Sequence, residues 1–140
     1  FLMELRVIKT SKGDTNKVQG NVNSVNGNKN SLWGDYNIAE GDRNGILGFY
    51  NTVDGSSNNV QGAINILKGN ENCVAGFENS VNGDFNGVIG SKNGIKGNLN
   101  SVAGDNNGVK GNINRIVGSN NGIDGNKNSV FGSVNLINGS

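Results

Sequence analysis

The sequence predicts an all-β parallel solenoid, a β-roll of nine 14-residue coils, on three observations. A seven-residue phrase, Gly-x-x-Asn-x-(Val/Ile/Leu)-x, recurs eighteen times from Gly13 to Gly139 without an inserted or deleted residue. The last residue of the phrase is largely apolar in alternate copies and polar in the others, which doubles the period to fourteen. The composition, with 24 Gly, 30 Asn and no Pro, suits stacked strands and tight corners rather than helices. A fixed short period marks a repeat architecture in which each unit buries its apolar residue only against its neighbours.

Taken in order, residues 1–12 break the phrase, because Lys9 stands at the Asn position and Ser11 at the Val position. The expectation is a short capping or docking strand, since the end of a stacked sheet is an open hydrogen-bonding edge that must be covered. Residues 13–140 are the solenoid proper, and the length fits one domain. Within each phrase Asn-x-Val-x makes a short strand that turns Asn and Val to one side and the intervening residues to the other. Gly-x-x makes the corner, because Gly adopts positive φ cheaply and admits close backbone approach. A coiled coil is excluded, since a Gly every seven residues and abundant Asn oppose helix formation.

One heptad is too short to close a coil, whereas two make a strand, corner, strand, corner circuit. Its seventh positions read Gln19, Trp33, Leu47, Gln61, Ala75, Ile89, Ala103, Val117 and Phe131 on one face. On the other they read Asn26, Glu40, Asp54, Lys68, Asn82, Lys96, Lys110, Asp124 and Asn138, all polar. With strands about 4.8 Å apart, nine coils stack to roughly 43 Å. The aliphatic positions of both faces meet in a thin interior. The phrase Asn residues are expected to form two internal ladders, one through Asn30, Asn44, Asn58, Asn72, Asn86, Asn100, Asn114 and Asn128. Stacked amides can bond the backbone and one another from coil to coil.

The chemistry of an enzyme is missing. The chain has no His, no CxxC pair and no phosphate-binding loop, so neither a catalytic site nor a cofactor or metal is expected. Cys73 is alone and reads as a solvated surface thiol. The Asp residues that follow Gly, at 14, 35, 42, 84 and 105, read as solvated turn carboxylates. A net charge of +1 with mixed signs gives no case for nucleic acid, and no apolar run is long enough to span a membrane.

The phrases Asn23-Ser-Val-Asn-Gly, Asn51-Thr-Val-Asp-Gly, Asn72-Cys-Val-Ala-Gly and Asn128-Ser-Val-Phe-Gly resemble the x-x-Asn-x-Val-x-Gly repeat of the ice recrystallisation inhibition (antifreeze) proteins of cold-hardy grasses. The resemblance covers residues 13–140 and implies a left-handed β-roll with a flat ice-binding face made by the residues on either side of Val. More weakly, the chain is similar to the head repeats of trimeric bacterial surface adhesins, whose alternate seventh positions are also apolar. Both classes imply an extracellular or cell-surface location.

The candidate functional face gathers Ser31, Trp33, Leu47, Cys73, Ala75, Ile89, Ser101, Ala103, Val117, Ser129 and Phe131, together with Gly45 and Gly87. A contiguous apolar stripe of this kind is seldom left bare on a soluble monomer. Its side chains range from Ala to Trp and the chain has only three Thr, at 10, 15 and 52. The leading expectation is therefore a non-enzymatic structural or surface repeat protein that assembles with copies of itself through this face and the solenoid ends. The alternative is an ice-binding antifreeze protein that uses the same face, with ice as its partner.

Overall fold

The computed structural model describes residues 9–140, which form a parallel β-solenoid. The chain alternates between a ten-stranded sheet, from Lys9–Lys12 to Leu136–Asn138, and a nine-stranded sheet, from Lys17–Gln19 to Ser129–Phe131. Most strands are only three residues long, the x-Val-x of each phrase. All pairings are parallel and in register at a spacing of fourteen: Cys73, Val74 and Ala75 face Gly87, Val88 and Ile89, which face Ser101, Val102 and Ala103. The alternating strand pattern follows because the phrase is odd in length and successive phrases must sit on opposite sheets to close a coil.

Every strand from Asn23–Asn26 to Ser129–Phe131 contributes one central aliphatic side chain to the interior, and all of these are no more than 4% exposed. The series runs from Val25 and Leu32 through Val88 and Ile95 to Val130, with Ala39 the one small member. Val18 and Ile137 pack against it at the two ends. Only two side chains separate the sheets, so the core is long, thin and entirely aliphatic.

Both expected Asn ladders are present. Asn86 typifies the first: its backbone N–H and its Nδ2 donate to Asn72 Oδ1 at 2.9 and 3.1 Å, and Nδ2 also donates to the Gly97 carbonyl at 2.8 Å. Its own Oδ1 accepts from the backbone N–H and Nδ2 of Asn100 at 3.0 and 3.1 Å. Asn79 and Asn93 repeat the pattern on the other side of the core. No buried side-chain nitrogen or oxygen lacks a partner among the described residues. Asp could not substitute, because it lacks the amide donor that reaches the Gly carbonyl.

Each corner needs two residues in the left-handed region, the Gly and the residue just before Asn. At the second position even β-branched side chains comply, with φ of 54° at Val22, 58° at Ile64 and 59° at Ile113. Such residues disfavour this conformation by about 1–2 kcal/mol. It persists because the corner backbone is held from the neighbouring coil: the Ile113 N–H donates to the Asn98 carbonyl at 3.0 Å. The Gly position is stricter still. A Cβ on Gly97 would run into the Gly111 carbonyl, and its φ is +137°.

A second set of ladders contradicts the expectation that the Asp residues after Gly are merely solvated. Where the chain leaves the ten-stranded sheet, the residue after Gly is Asp14, Asn28, Asp42, Ser56, Asn70, Asp84, Asn98, Asn112, Asn126 or Ser140. Along this whole edge each backbone N–H donates to the side-chain oxygen of the residue one coil on, as Asn70 does to Asp84 Oδ1 at 2.6 Å. Asp35 and Asp105 accept likewise on the opposite edge, from Asn21 and Ser91. Asp, Asn and Ser interchange here because only a short side chain ending in an acceptor is required.

At the N-terminal end Lys9–Lys12 pairs with Asn23–Asn26 in the common register, Lys9 opposite Asn23 and Ser11 opposite Val25. The strand forms although its side chains depart from the phrase, because parallel pairing is a backbone property. The rest of the expected capping segment, residues 1–8, lies outside the described residues.

Two comparisons test this account by thermal or denaturant unfolding. Gly97→Ala is expected to destabilise by more than about 1 kcal/mol, whereas Gly94→Ala, in ordinary strand conformation with open space around its Cβ, is expected to be neutral or to stabilise by about 0.4–1 kcal/mol. Asn86→Ala is expected to cost roughly 1–3 kcal/mol by leaving buried partners unbonded, against less than about 0.5 kcal/mol for Ser91→Ala.

Candidate functional site

Alternation along each strand turns the residues flanking the core aliphatic outward, so each sheet displays two straight columns of side chains. The columns step about 4.8 Å per coil and stand roughly 6.6 Å apart along the strand. On the nine-stranded sheet the first column runs Lys17, Ser31, Gly45, Asn59, Cys73, Gly87, Ser101, Arg115, Ser129. The second runs Gln19, Trp33, Leu47, Gln61, Ala75, Ile89, Ala103, Val117, Phe131. Every residue expected on the candidate face therefore lies on this one surface. The stripe is interrupted by Asn59 and Gln61, which sit between Leu47 and Ala75.

From Ser31–Trp33 to Ser101–Ala103, six consecutive strands present no charge on this face. Lys17 lies on one side of that block and Arg115 on the other, with the Arg115 guanidinium 5.4 Å from the centre of the Phe131 ring. The large apolar side chains stand well out of the surface, Ile89 at 65% exposure and Phe131 at 64%. Trp33 is held by its indole N–H, which donates to Ser31 Oγ at 3.0 Å. Cys73 is exposed, as expected, in the first column.

The ten-stranded sheet differs in chemistry, and none of its strands reaches the five residues of Gly45–Phe49, Asn59–Ala63, Cys73–Phe77 and Gly87–Ser91. Its second column carries Lys12, Glu40, Asp54, Lys68, Lys96, Lys110 and Asp124, and Lys110 Nζ lies 3.0 Å from Asp124 Oδ2. The Asn30 to Asn128 ladder, by contrast, takes no part in either surface: its members from Asn30 to Asn114 are buried and support the sheet from within.

Sequence reasoning missed one feature at the edge where the chain leaves the nine-stranded sheet. There the corner ladder is interrupted at Phe49, Ala63 and Phe77, which have no side-chain acceptor, and resumes at Ser91. Around the gap stand Trp33, Tyr36, Phe49, Tyr50 and Phe77, five of the chain's eight aromatic residues. The Tyr36 and Tyr50 rings stack with centroids 4.7 Å apart and planes 7° apart, and Phe49 meets Tyr50 edge-on. The signal was available as an alignment of corner residues fourteen apart, because three successive positions lose their polar oxygen together.

The sequence matches the family described as the grass antifreeze β-roll over residues 7–83 and again over residues 65–140. The chain belongs to this family. A comparison with curated proteins finds no match. Membership agrees with the resemblance drawn from the repeat and with the solenoid described above, and the family is one of ice-binding antifreeze proteins. Of the two expected functions it supports the ice-binding alternative; self-assembly finds no support in it.

The inward and outward assignments are checked by two neighbouring substitutions. Val88→Asp puts an unpaired charge into a core two side chains thick and is expected to cost about 3–5 kcal/mol, visible as loss of β-sheet circular dichroism or a large fall in Tm. Ile89→Lys, one residue on, exchanges an exposed side chain and is expected to change stability by less than about 0.5 kcal/mol.

Proposed function

We propose that this grass antifreeze β-roll binds ice, and that the outer surface of the nine-stranded sheet is the contact face. One observation carries the assignment to this sheet. Six consecutive in-register strands there hold no charged side chain, whereas the other sheet places charges along its second column from Lys12 to Asp124. A face that meets a solid water surface must exchange its liquid hydration for ordered water. Charged groups hold liquid hydration most strongly and resist that exchange, while Ala, Gly, Ser and aliphatic groups give it up at little cost.

The backbone supplies the order. Two straight columns with a repeat of about 4.8 Å present side chains at regular intervals over many coils, so contacts that are individually weak recur in phase. The middle of the face, Cys73, Ala75, Gly87, Ile89, Ser101 and Ala103, is the part richest in small residues. Molecules adsorbed at intervals on a crystal hold back the ice front between them, and this is the mechanism by which such a face slows the coarsening of small crystals. No bond is made or broken, and the extracellular setting expected from the class belongs to the same reading.

Self-association through the same face is the second reading, favoured by the exposure of Trp33, Leu47, Ile89 and Phe131. One triple variant separates the two. Ala75→Lys with Ile89→Lys and Ala103→Lys places three charges in the second column without touching the core. The expected outcome is a wild-type monomer by light scattering that stops crystals coarsening in an annealed frozen film, and a folded variant that has lost the effect. Undiminished inhibition by the variant would rule out this face. A wild type that associates without inhibiting recrystallisation, and dissociates in the variant, would establish the second reading instead.

A further inference from the structure

We infer that the aromatic edge is a second binding site, separate from the ice face in function, and that it takes a pyranose-based glycan. The site is a surface groove of about 420 Å³ between two successive coils. Trp33 and Leu47, which also stand in the second column of the proposed ice face, line it together with Asp35, Tyr36, Phe49 and Tyr50. That volume lies in the range of small-molecule sites.

The groove sits where the fold's own rule is broken. Elsewhere on this edge Asp35, Asp105, Ser119 and Ser133 each accept a backbone N–H from the coil before. At Phe49, Ala63 and Phe77 the chain forgoes that acceptor. Ala63 is buried, whereas Phe49 and Phe77 remain half-exposed, so at these two corners the exchange does not serve the core. Local departures from an otherwise consistent pattern concentrate at functional sites.

The chemistry of the walls selects the ligand. Trp33, Tyr36 and Tyr50 are 46–54% exposed and offer flat apolar surface. The same groove carries polar groups free for a ligand: among the described residues neither phenol oxygen makes a hydrogen bond, and Asp35 uses only Oδ1, accepting from the Asn21 N–H at 2.7 Å. Its Oδ2 is left as an acceptor at the groove. Rings that cover apolar C–H surface, with phenols and a carboxylate at their margin, match a sugar ring, which has hydroxyls around its rim and C–H bonds on its faces. Equatorially substituted, β-linked gluco- or xylo-configured chains present the flattest such faces. An all-apolar partner would leave the Asp35 carboxylate and the phenols without bonds on burial, at a cost.

Trp33 is the chain's single tryptophan and lies in the wall, so its fluorescence reports occupancy directly. Cellohexaose and xylohexaose would be titrated into the intact protein, with analytical ultracentrifugation of the same samples. A saturable shift in Trp33 emission with at least one oligosaccharide is expected, weakened about tenfold in Tyr50→Ala and in Asp35→Ala. Ala75→Lys with Ile89→Lys and Ala103→Lys should leave the titration unchanged, so failure here and failure of the ice face are distinguishable. Circular dichroism verifies that each variant is folded. No emission change with either sugar, or a change indifferent to both groove substitutions in folded protein, would overturn the inference. So would a sugar-independent dimer that Tyr50→Ala dissolves, since the groove would then be filled by a second copy.

Discussion

The fold depends on one repeated hydrogen-bonding unit, the buried asparagine amide that ties three coils together. Each such Asn bonds the Asn one coil back, the Gly carbonyl one corner ahead, and the backbone of the Asn one coil on. A chain with so few apolar residues could not stabilise a conventional core, and two-thirds of its residues are not hydrophobic. The amides make up for this by satisfying the backbone groups that a tight corner would otherwise bury unbonded. In exchange they require strict spacing. A single inserted residue would displace the amides whose bonds span it from their partners fourteen residues away, and eighteen phrases run without an insertion.

Glycine works with asparagine rather than independently. The carbonyl of the corner Gly receives the Asn amide, and the same close stacking leaves no room for a Cβ on the Gly one coil before. Corner and ladder are thus one device. It also fixes the corner backbone so firmly that Val22, Ile64 and Ile113 occupy the left-handed region. The second corner residue is consequently free to vary in type, and it runs from Lys29 and Arg43 to Tyr36 and Phe85.

That freedom separates stability from function. The Asn, Gly and core aliphatic positions carry the fold, and the remaining positions of each phrase are available to decorate two faces and two edges. One face carries charges along its second column, and the other holds none over six consecutive strands. One edge keeps its polar ladder from end to end, while the other gives it up over three coils, at Phe49, Ala63 and Phe77. Because each coil contacts only its neighbours, a local change of surface chemistry does not propagate. The aromatic groove therefore borders the ice-facing columns at Trp33 and Leu47 while the columns continue through the coils beyond it.

Much of this was legible in the chain as written. Period, strand phase, core positions, both Asn ladders and the grouping of Ser31 through Phe131 on one face followed from residue spacing, because a solenoid maps position in the phrase directly onto position in space. Tertiary structure decided what depends on neighbours fourteen residues apart. Asp14, Asp42 and Asp84 read as solvated in isolation, yet Asp42 and Asp84 accept backbone hydrogen bonds, and the Asp14 N–H donates into the same ladder. Lys9–Lys12 lacks the phrase but pairs in its register, since the backbone of the next coil offers the same edge whatever side chains arrive. The stacking of Tyr36 on Tyr50 and the groove beside Trp33 arise only when successive coils are brought together. The sequence by itself determined the repeat unit; the contacts between repeats determined which of its variable residues became sites.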